Sequence, residues 1–185
     1  MAHELKIKEI IDEAKDVKTF RTDKPGGFSF IPGQYGIFSF PDNPSETRPF
    51  TFASPPDSKN LDITIKKMGE FTGKVFELSE GKKIMMDGPM GEKLNFKEEQ
   101  KKIVYIAGGS GITPFISSIR HVISKELDNK ITVFFSNRKK QDIIYEDELY
   151  DVSKKENISV INTLTDETPE NWDGQEGRIT EDMLK

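Results

Sequence analysis

The first hundred residues alternate apolar and polar positions with a period of two, in short segments separated by glycine and proline. This alternation predicts β-strands, and many short strands at close spacing favour an antiparallel barrel. The clearest segment is 61–65, where Leu61, Ile63 and Ile65 share one face. We predict strands at 6–11, 17–22, 34–40, 50–53, 61–66 and 83–86, and one helix at 72–78.

The pattern changes after the polar run 97–102. Residues 103–107 are almost continuously apolar, as in a parallel strand that is buried on both faces. Strands at 131–135 and 158–164 alternate with helices at 114–126 and 147–154, which predicts a parallel sheet. We therefore predict an antiparallel β-barrel domain at 1–98, followed by an α/β parallel-sheet domain at 99–185.

Composition limits the chemistry. The net charge of −5 at pH 7 offers no basic excess, so a nucleic-acid partner is not expected. No apolar run approaches the roughly 20 residues that span a bilayer, and no signal peptide is evident, so we expect a cytoplasmic protein. With no cysteine and two histidines, thiol chemistry is excluded and no metal site is expected. If the protein has a chemical activity, that chemistry must then come from a bound organic cofactor.

The segment Arg48–Thr51 combines a cation, an aromatic ring and a hydroxyl. In an extended strand Arg48, Phe50 and Phe52 point the same way. A guanidinium can hold a phosphate with two hydrogen bonds, and a ring can stack on a flat heterocycle. The alternative is an ordinary barrel strand with one surface arginine.

A second phosphate-binding candidate lies where a predicted strand leads into the helix at 72–78. Gly69 permits close approach, and backbone N–H groups at the helix start suit an anion. Thr72 can either bind that anion or cap the helix. A simple helix cap is the alternative.

The segment Gly108–Pro114 places a glycine-rich turn between a strand and a helix. Pro114 suits the first helical position, and Thr113 suits the N-cap. Four small residues in a row exceed what a tight turn needs, which points to the pyrophosphate of a dinucleotide. After the next strand, Ser136 and Arg138 offer a hydroxyl and a cation that suit a ribose 2′-phosphate, with Tyr145 as a further candidate. A solvated basic turn is the alternative there.

With these motifs the chain resembles the ferredoxin–NADP reductase family of flavoprotein oxidoreductases. Arg48–Thr51 is similar to the family's Arg-x-Tyr-Ser motif, and residues 32–35, 69–72 and 87–91 also match family segments. Gly-Gly-x-Gly-Ile-Thr-Pro at 108–114 is a signature of the family's nicotinamide-dinucleotide domain. The resemblance implies that Arg48 binds the flavin phosphate, that Phe50 packs on the ring system, and that Thr51 lies beside the reactive ring nitrogen as the catalytic residue.

The resemblance implies FAD rather than FMN as the cofactor and NADPH or NADH as the electron donor, with NADPH favoured. The predicted cofactor-binding residues are Arg48, Pro49, Phe50, Thr51, Gly69, Phe71, Thr72, Gly108, Gly109, Gly111, Thr113, Pro114, Ser136 and Arg138. The implied function is electron transfer from NAD(P)H through FAD to a protein or small acceptor.

The family continues beyond the segment similar to residues 171–180, with a strand that lies beside the nicotinamide. We expect this chain to lack that segment, which leaves a sheet edge and apolar surface uncovered. The chain is then a fragment, or a short form completed by a partner chain or dimer, or a protein that has lost nicotinamide binding. The alternative functions are a flavin-binding or partner-binding module without turnover, and a dinucleotide-binding regulator without flavin.

Overall fold

The computed structural model describes residues 2–184; Met1 and Lys185, the outer ends of the two predicted domains, lie outside the described residues. The chain divides into two compact units. The first, called the barrel unit, comprises residues up to Lys97 together with Thr113–Glu126. The second, called the sheet unit, comprises Glu98–Ile112 and residues from Leu127 onward. Within 2–184, no helix is long and apolar enough to cross a membrane.

The elements of both units are defined by the backbone. The barrel unit contains β1 (His3–Ala14), β2 (Val17–Asp23), β3 (Tyr35–Phe40), β4 (Asn43–Thr51), β5 (Asn60–Lys66), α1 (Glu70–Phe76), β6 (Lys83–Met90) and α2 (Thr113–Ser124). The sheet unit contains β7 (Lys102–Gly108), β8 (Lys130–Asn137), α3 (Glu146–Val152), β9 (Ile158–Leu164) and β10 (Gln175–Glu176). Short 3-10 turns lie at Gly109–Ile112, Lys140–Asp142 and Glu181–Leu184.

Six antiparallel strands form the barrel unit's sheet, in the order β4-β3-β6-β1-β2-β5. The long strand β1 pairs with β6 through residues 3–6 and with β2 through residues 7–14, and its register shifts twice along the β2 pairing. Such irregularities bend a strand and help a sheet to curl. The two ends of the sheet meet where Phe52 pairs with Ile63, and there the Ala53 N–H donates to the Asp62 carbonyl at 2.8 Å.

The two faces of β5 show why this strand forms where the alternation predicts it. Leu61, Ile63 and Ile65 are buried in the apolar core with the rings of Phe38 and Phe52. On the other face Asp62 is also buried, and its carboxylate is held by Arg21. A buried charge is tolerated because it is paired and hydrogen-bonded.

Four parallel strands form the sheet unit, in the order β10-β9-β8-β7. The pairing puts Gly108 of β7 beside Ser136 of β8, so the carboxyl ends of these strands share one edge. β7 lies at one edge of this sheet, opposite β10, and its side chains Val104 and Ile106 are 60% and 53% exposed. The prediction that residues 103–107 are buried on both faces is therefore wrong for Val104 and Ile106. The predicted fold class, an antiparallel barrel followed by a parallel α/β sheet, is confirmed.

The structure corrects the predicted strand at 50–53. The observed strand β4 starts at Asn43 rather than at residue 50, and it ends at Thr51. Both Pro44 and Pro49 lie in it. β4 pairs along its length only with β3, and proline is tolerated on such an edge strand.

Smaller differences concern element ends. The helix predicted at 72–78 is observed as Glu70–Phe76, and that predicted at 147–154 as Glu146–Val152. The two-residue strand β10 was not predicted, because two residues are too few to show a period. The strand predicted at 158–164 is observed with the same bounds.

We predict that Gly33→Ala destabilises the barrel unit. Gly33 has φ of +98°, and a Cβ there would overlap the Leu94 carbonyl oxygen and lie 2.6 Å from the carbonyl carbon. The free energy of unfolding should fall by about 2 kcal/mol or more, measured by urea denaturation. Gly26→Ala is the matched control, since its Cβ would meet no atom within 4 Å. Equal losses in the two variants would contradict this account.

Candidate functional site

An open cavity of about 320 Å³ lies in the barrel unit between β4 and the start of α1. It brings together two motifs that are twenty residues apart in the sequence. The lining residues are Arg48, Pro49, Phe50, Met68, Gly69, Glu70, Phe71 and Thr72. Six of these are predicted site residues, and the two that were not predicted are Met68 and Glu70.

Arg48 lies at the open rim of this cavity. Its side chain is exposed, and its guanidinium carbon lies 5.5 Å from the centre of the Phe71 ring. One guanidinium N–H donates to the Thr47 carbonyl at 2.7 Å. A guanidinium has five N–H groups, so donors remain for an anion that enters the cavity. The aromatic face below holds the cation in place.

The aromatic residues of the cavity have different roles. Phe50 is half-buried, with its ring centre 5.7 Å from Phe38 and 6.1 Å from Phe71. Phe71 itself is only 2% exposed and packs on Phe40, so it forms the floor of the cavity. Phe50 therefore presents the more accessible ring to a flat ligand. Thr51, the last residue of β4, is half-buried and pairs with Tyr35.

The loop before α1 is organised by Thr72. Its hydroxyl accepts hydrogen bonds from the N–H groups of Met68 at 2.8 Å and Gly69 at 3.0 Å, and donates to the Gly69 carbonyl at 3.1 Å. Of the two roles that the sequence allows for Thr72, the structure thus shows the helix cap. Gly69 has extended backbone, and a Cβ there would meet no atom within 4 Å. Packing within this chain does not require glycine at this position, and space is left for a ligand.

Charges beside the cavity are balanced locally. Lys74 lies 2.9 Å from the Glu70 carboxylate and 3.5 Å from that of Glu46. The hydrogen bond from Lys74 lowers the pKa of Glu70, and the same bond raises the pKa of Lys74. Glu70 is therefore ionised at neutral pH but has its own counter-ion. Its charge is compensated independently of Arg48.

The glycine-rich turn lies at the carboxyl end of β7. Gly108 ends the strand, the 3-10 turn Gly109–Ile112 follows, and α2 starts at Thr113. Gly109 has φ of +49°, which suits glycine, whereas Gly111 has no such constraint and a Cβ on it would meet no atom within 4 Å. No protein atom therefore requires glycine at position 111, and the space beside it is open to a ligand. Thr113 and Pro114 are buried in the first turn of α2.

The predicted 2′-phosphate residues lie at the end of β8. Ser136 is half-buried, Arg138 is exposed, and the neighbouring Lys139 is paired with Glu167 at 2.6 Å. Tyr145 is only 5% exposed, with φ of +60° at the residue before α3. Arg138 is therefore open to solvent, Lys139 is engaged by Glu167, and Tyr145 is largely withdrawn from solvent.

Comparison with protein families identifies the class of the second half of the chain. Residues 105–185 match the oxidoreductase NAD-binding domain. One relative is the ferredoxin–NAD(P)(+) reductase component of the naphthalene 1,2-dioxygenase system of Pseudomonas putida. It is 28% identical over 173 residues, and the match covers 92% of this chain and 52% of that protein. A probable dihydroorotate dehydrogenase B (NAD(+)) electron transfer subunit of Methanocaldococcus jannaschii is 35% identical over 151 residues, covering 82% and 54%.

Solved structures show the same fold. A ferredoxin NADP+ reductase from Neisseria gonorrhoeae, solved with bound FAD and NADP, superposes with a TM-score of 0.85 at 20% identity. The match covers 99% of this chain and 75% of that one. The chain therefore has the fold of the ferredoxin–NADP reductase structures, and its second half matches the oxidoreductase NAD-binding domain, in agreement with the resemblance drawn from its motifs. It spans about half the length of the curated relatives that it matches.

Proposed function

We propose that this chain binds FAD and passes electrons from NAD(P)H through the flavin to an acceptor. The observation that carries the proposal is the cavity of about 320 Å³ in which Arg48 and Phe50 of β4 meet Gly69 and Thr72. The names of the relatives support it, since they describe reductases and an electron transfer subunit. We also propose that the boundary between the flavin-binding domain and the NAD(P)-binding domain lies between residues 98 and 99.

The residues that line the cavity fit a flavin nucleotide. The exposed guanidinium of Arg48 provides the charge and the donors for a phosphate. The half-buried ring of Phe50 provides an apolar surface for the heterocycle, on the buried floor formed by Phe71. Thr51 follows Phe50 on the same strand, where its hydroxyl or N–H can bond a ring nitrogen. FAD is favoured over FMN, on family resemblance.

The second ligand is proposed to bind at the carboxyl ends of β7 and β8. There the open glycine turn faces the pyrophosphate, and Thr113 and Pro114 start the helix that follows. Ser136 and Arg138 are proposed to bind a 2′-phosphate, which favours NADPH over NADH. When bound, flavin and nicotinamide supply the redox chemistry; the protein binds and orients both rings and needs no side-chain acid or base.

The electron acceptor is proposed to be a protein or a small molecule. The exposed edge of the parallel sheet at β7, with Val104 and Ile106, is proposed as the place where a partner chain or a second copy adds to the sheet. Unpaired strand edges accept such additions readily.

We predict that Arg48→Ala weakens FAD binding at least tenfold, because charge-assisted hydrogen bonds contribute about 1.5–3 kcal/mol. The measurement is an FAD titration followed by quenching of flavin fluorescence. Arg138→Ala is the matched control, since it removes an exposed arginine from the other proposed site. Unchanged affinity in Arg48→Ala would show that the flavin phosphate binds elsewhere.

A second prediction concerns the choice of electron donor. Arg138→Ala should raise the KM for NADPH about tenfold while the KM for NADH changes little, because only NADPH carries the 2′-phosphate. Initial rates with an artificial acceptor measure both constants. Arg178→Ala, an exposed arginine of the same unit, is the control. A wild-type preference for NADH, or equal effects on the two donors, would refute the assignment of Arg138.

A further inference from the structure

Helix α2 is attached to the barrel backbone just beyond the proposed flavin strand. The Ser117 hydroxyl donates to the Ser54 carbonyl at 2.8 Å, and Arg120 donates to the Ala53 carbonyl at 2.9 Å. Ser117 is fully buried, and the Arg120 side chain is 18% exposed. Both acceptors lie within three residues of Thr51. These side-chain bonds therefore join the helix to the segment that continues β4.

Arg120 is held in turn by a buried carboxylate. Its guanidinium lies 3.7 Å from Asp62, whose side chain is 6% exposed. Asp62 also accepts two hydrogen bonds from Arg21, at 2.8 and 3.0 Å, and Arg21 reaches Glu9 at 2.7 Å. The hydrogen bonds to Asp62 raise the pKa of Arg21 above its already high value, so the Arg21 guanidinium stays charged at any ordinary pH.

The same network stiffens the acceptor segment. The Asp62 N–H donates to the Ser54 hydroxyl at 3.1 Å, and the Asp62 carbonyl accepts from the Ala53 N–H at 2.8 Å. The two carbonyls that receive Ser117 and Arg120 are thus fixed to β5. One helical turn connects Ser117 to Thr113, so the first turn of α2 is tied through these contacts to the end of β4.

We propose that Ser117 and Arg120 are positioning residues that set the first turn of α2 relative to Thr51. This inference rests on the proposed function, in which Thr113 and Pro114 lie beside the dinucleotide and Thr51 beside the flavin. Reacting atoms must approach to about 3–3.5 Å, and a displacement of about 1 Å can lower the rate a hundredfold. Bonds that hold the first turn of α2 to the segment after Thr51 then fix the distance between two residues that the proposed function places beside the ligands.

A second attachment lies at the other end of the helix. The Ser124 hydroxyl donates to Asp57 at 3.1 Å, and Lys125 lies 3.8 Å from the same carboxylate. Loss of the Ser117 or Arg120 contact should therefore loosen the first half of α2 while its last turn stays attached. Variants at these positions are expected to fold.

The test uses Ser117→Ala and Arg120→Lys, with Ser118→Ala as the matched control. Ser118 is as buried as Ser117, but its hydroxyl bonds to Pro114 within the same helix, at 3.4 Å. Arg120→Lys keeps the positive charge near Asp62 but loses the planar guanidinium. Hydrogen–deuterium exchange of the ligand-free protein should become at least about threefold faster in the first half of α2 for both variants, and unchanged for the control.

The second readout is anaerobic reduction of bound FAD by NADPH. We expect Ser117→Ala and Arg120→Lys to reduce the flavin about tenfold more slowly, with unchanged FAD affinity, and Ser118→Ala to match the wild type. Faster exchange with an unchanged reduction rate would mean that Ser117 and Arg120 are only structural. Unchanged exchange in both variants would also overturn the inference.

Failure of the proposed function is distinguishable from failure of this inference. A wild-type protein that binds no FAD, or whose flavin NADPH does not reduce, overturns the proposed function and the positioning role with it. The exchange measurement needs no cofactor, and it still shows whether Ser117 and Arg120 hold the helix. If NADPH reduces the bound flavin equally fast in the wild-type protein and in the variants, the positioning role alone is overturned.

Discussion

The pairing of Phe52 with Ile63 joins the two ends of the six-stranded sheet, and the proposed flavin site depends on it. β4 and β5 stand at opposite ends of the strand order, and this pairing, with the bond from Ala53 to Asp62, brings them together. The residues before this joint, Arg48–Thr51, line the cavity or lie next to it. The residues after it, Ala53 and Ser54, offer their carbonyls to α2. The pairing of Phe52 with Ile63 thus positions both the residues of the cavity and the carbonyls to which α2 is attached.

The cavity itself combines a buried aromatic floor with an exposed cation. Phe71 is buried among Phe40 and Phe50, so the floor is part of the core and costs no ordering when a ligand binds. Arg48 is exposed above it and is oriented by the ring and by the Thr47 carbonyl. The acidic residue at the rim, Glu70, is compensated by Lys74 and leaves the positive field of Arg48 available.

Alternation of apolar and polar residues was sufficient to predict most of the fold. Strands such as β5 and β9 have a long enough pattern to be recognised, and the change to continuous apolar runs marks the parallel sheet. Strand β4 was mispredicted at its start, because its prolines mark a turn unless the strand is known to lie at an edge. Which strand lies at an edge follows only from the tertiary pairing.

Site residues were predictable where a local motif carries the chemistry, as in Arg48–Thr51 and Gly108–Pro114. Phe71 and Tyr145 show what a local motif leaves open: their residue types suit a ligand, but the degree to which each is buried depends on distant partners. The network of Asp62, Arg21, Ser117 and Arg120 was missed because it links positions far apart in the sequence. Its one local signal is a carboxylate in the middle of the otherwise buried strand β5.

The visible absorbance spectrum of the purified protein shows whether the protein binds FAD and whether NADPH reduces the bound flavin. The protein is incubated with FAD, desalted, and recorded before and after anaerobic addition of NADPH. The proposed electron transfer predicts retained flavin bands that bleach when NADPH is added. Protein that emerges without flavin bands would contradict the proposed cofactor site, and retained bands that NADPH leaves unchanged would contradict the oxidoreductase function.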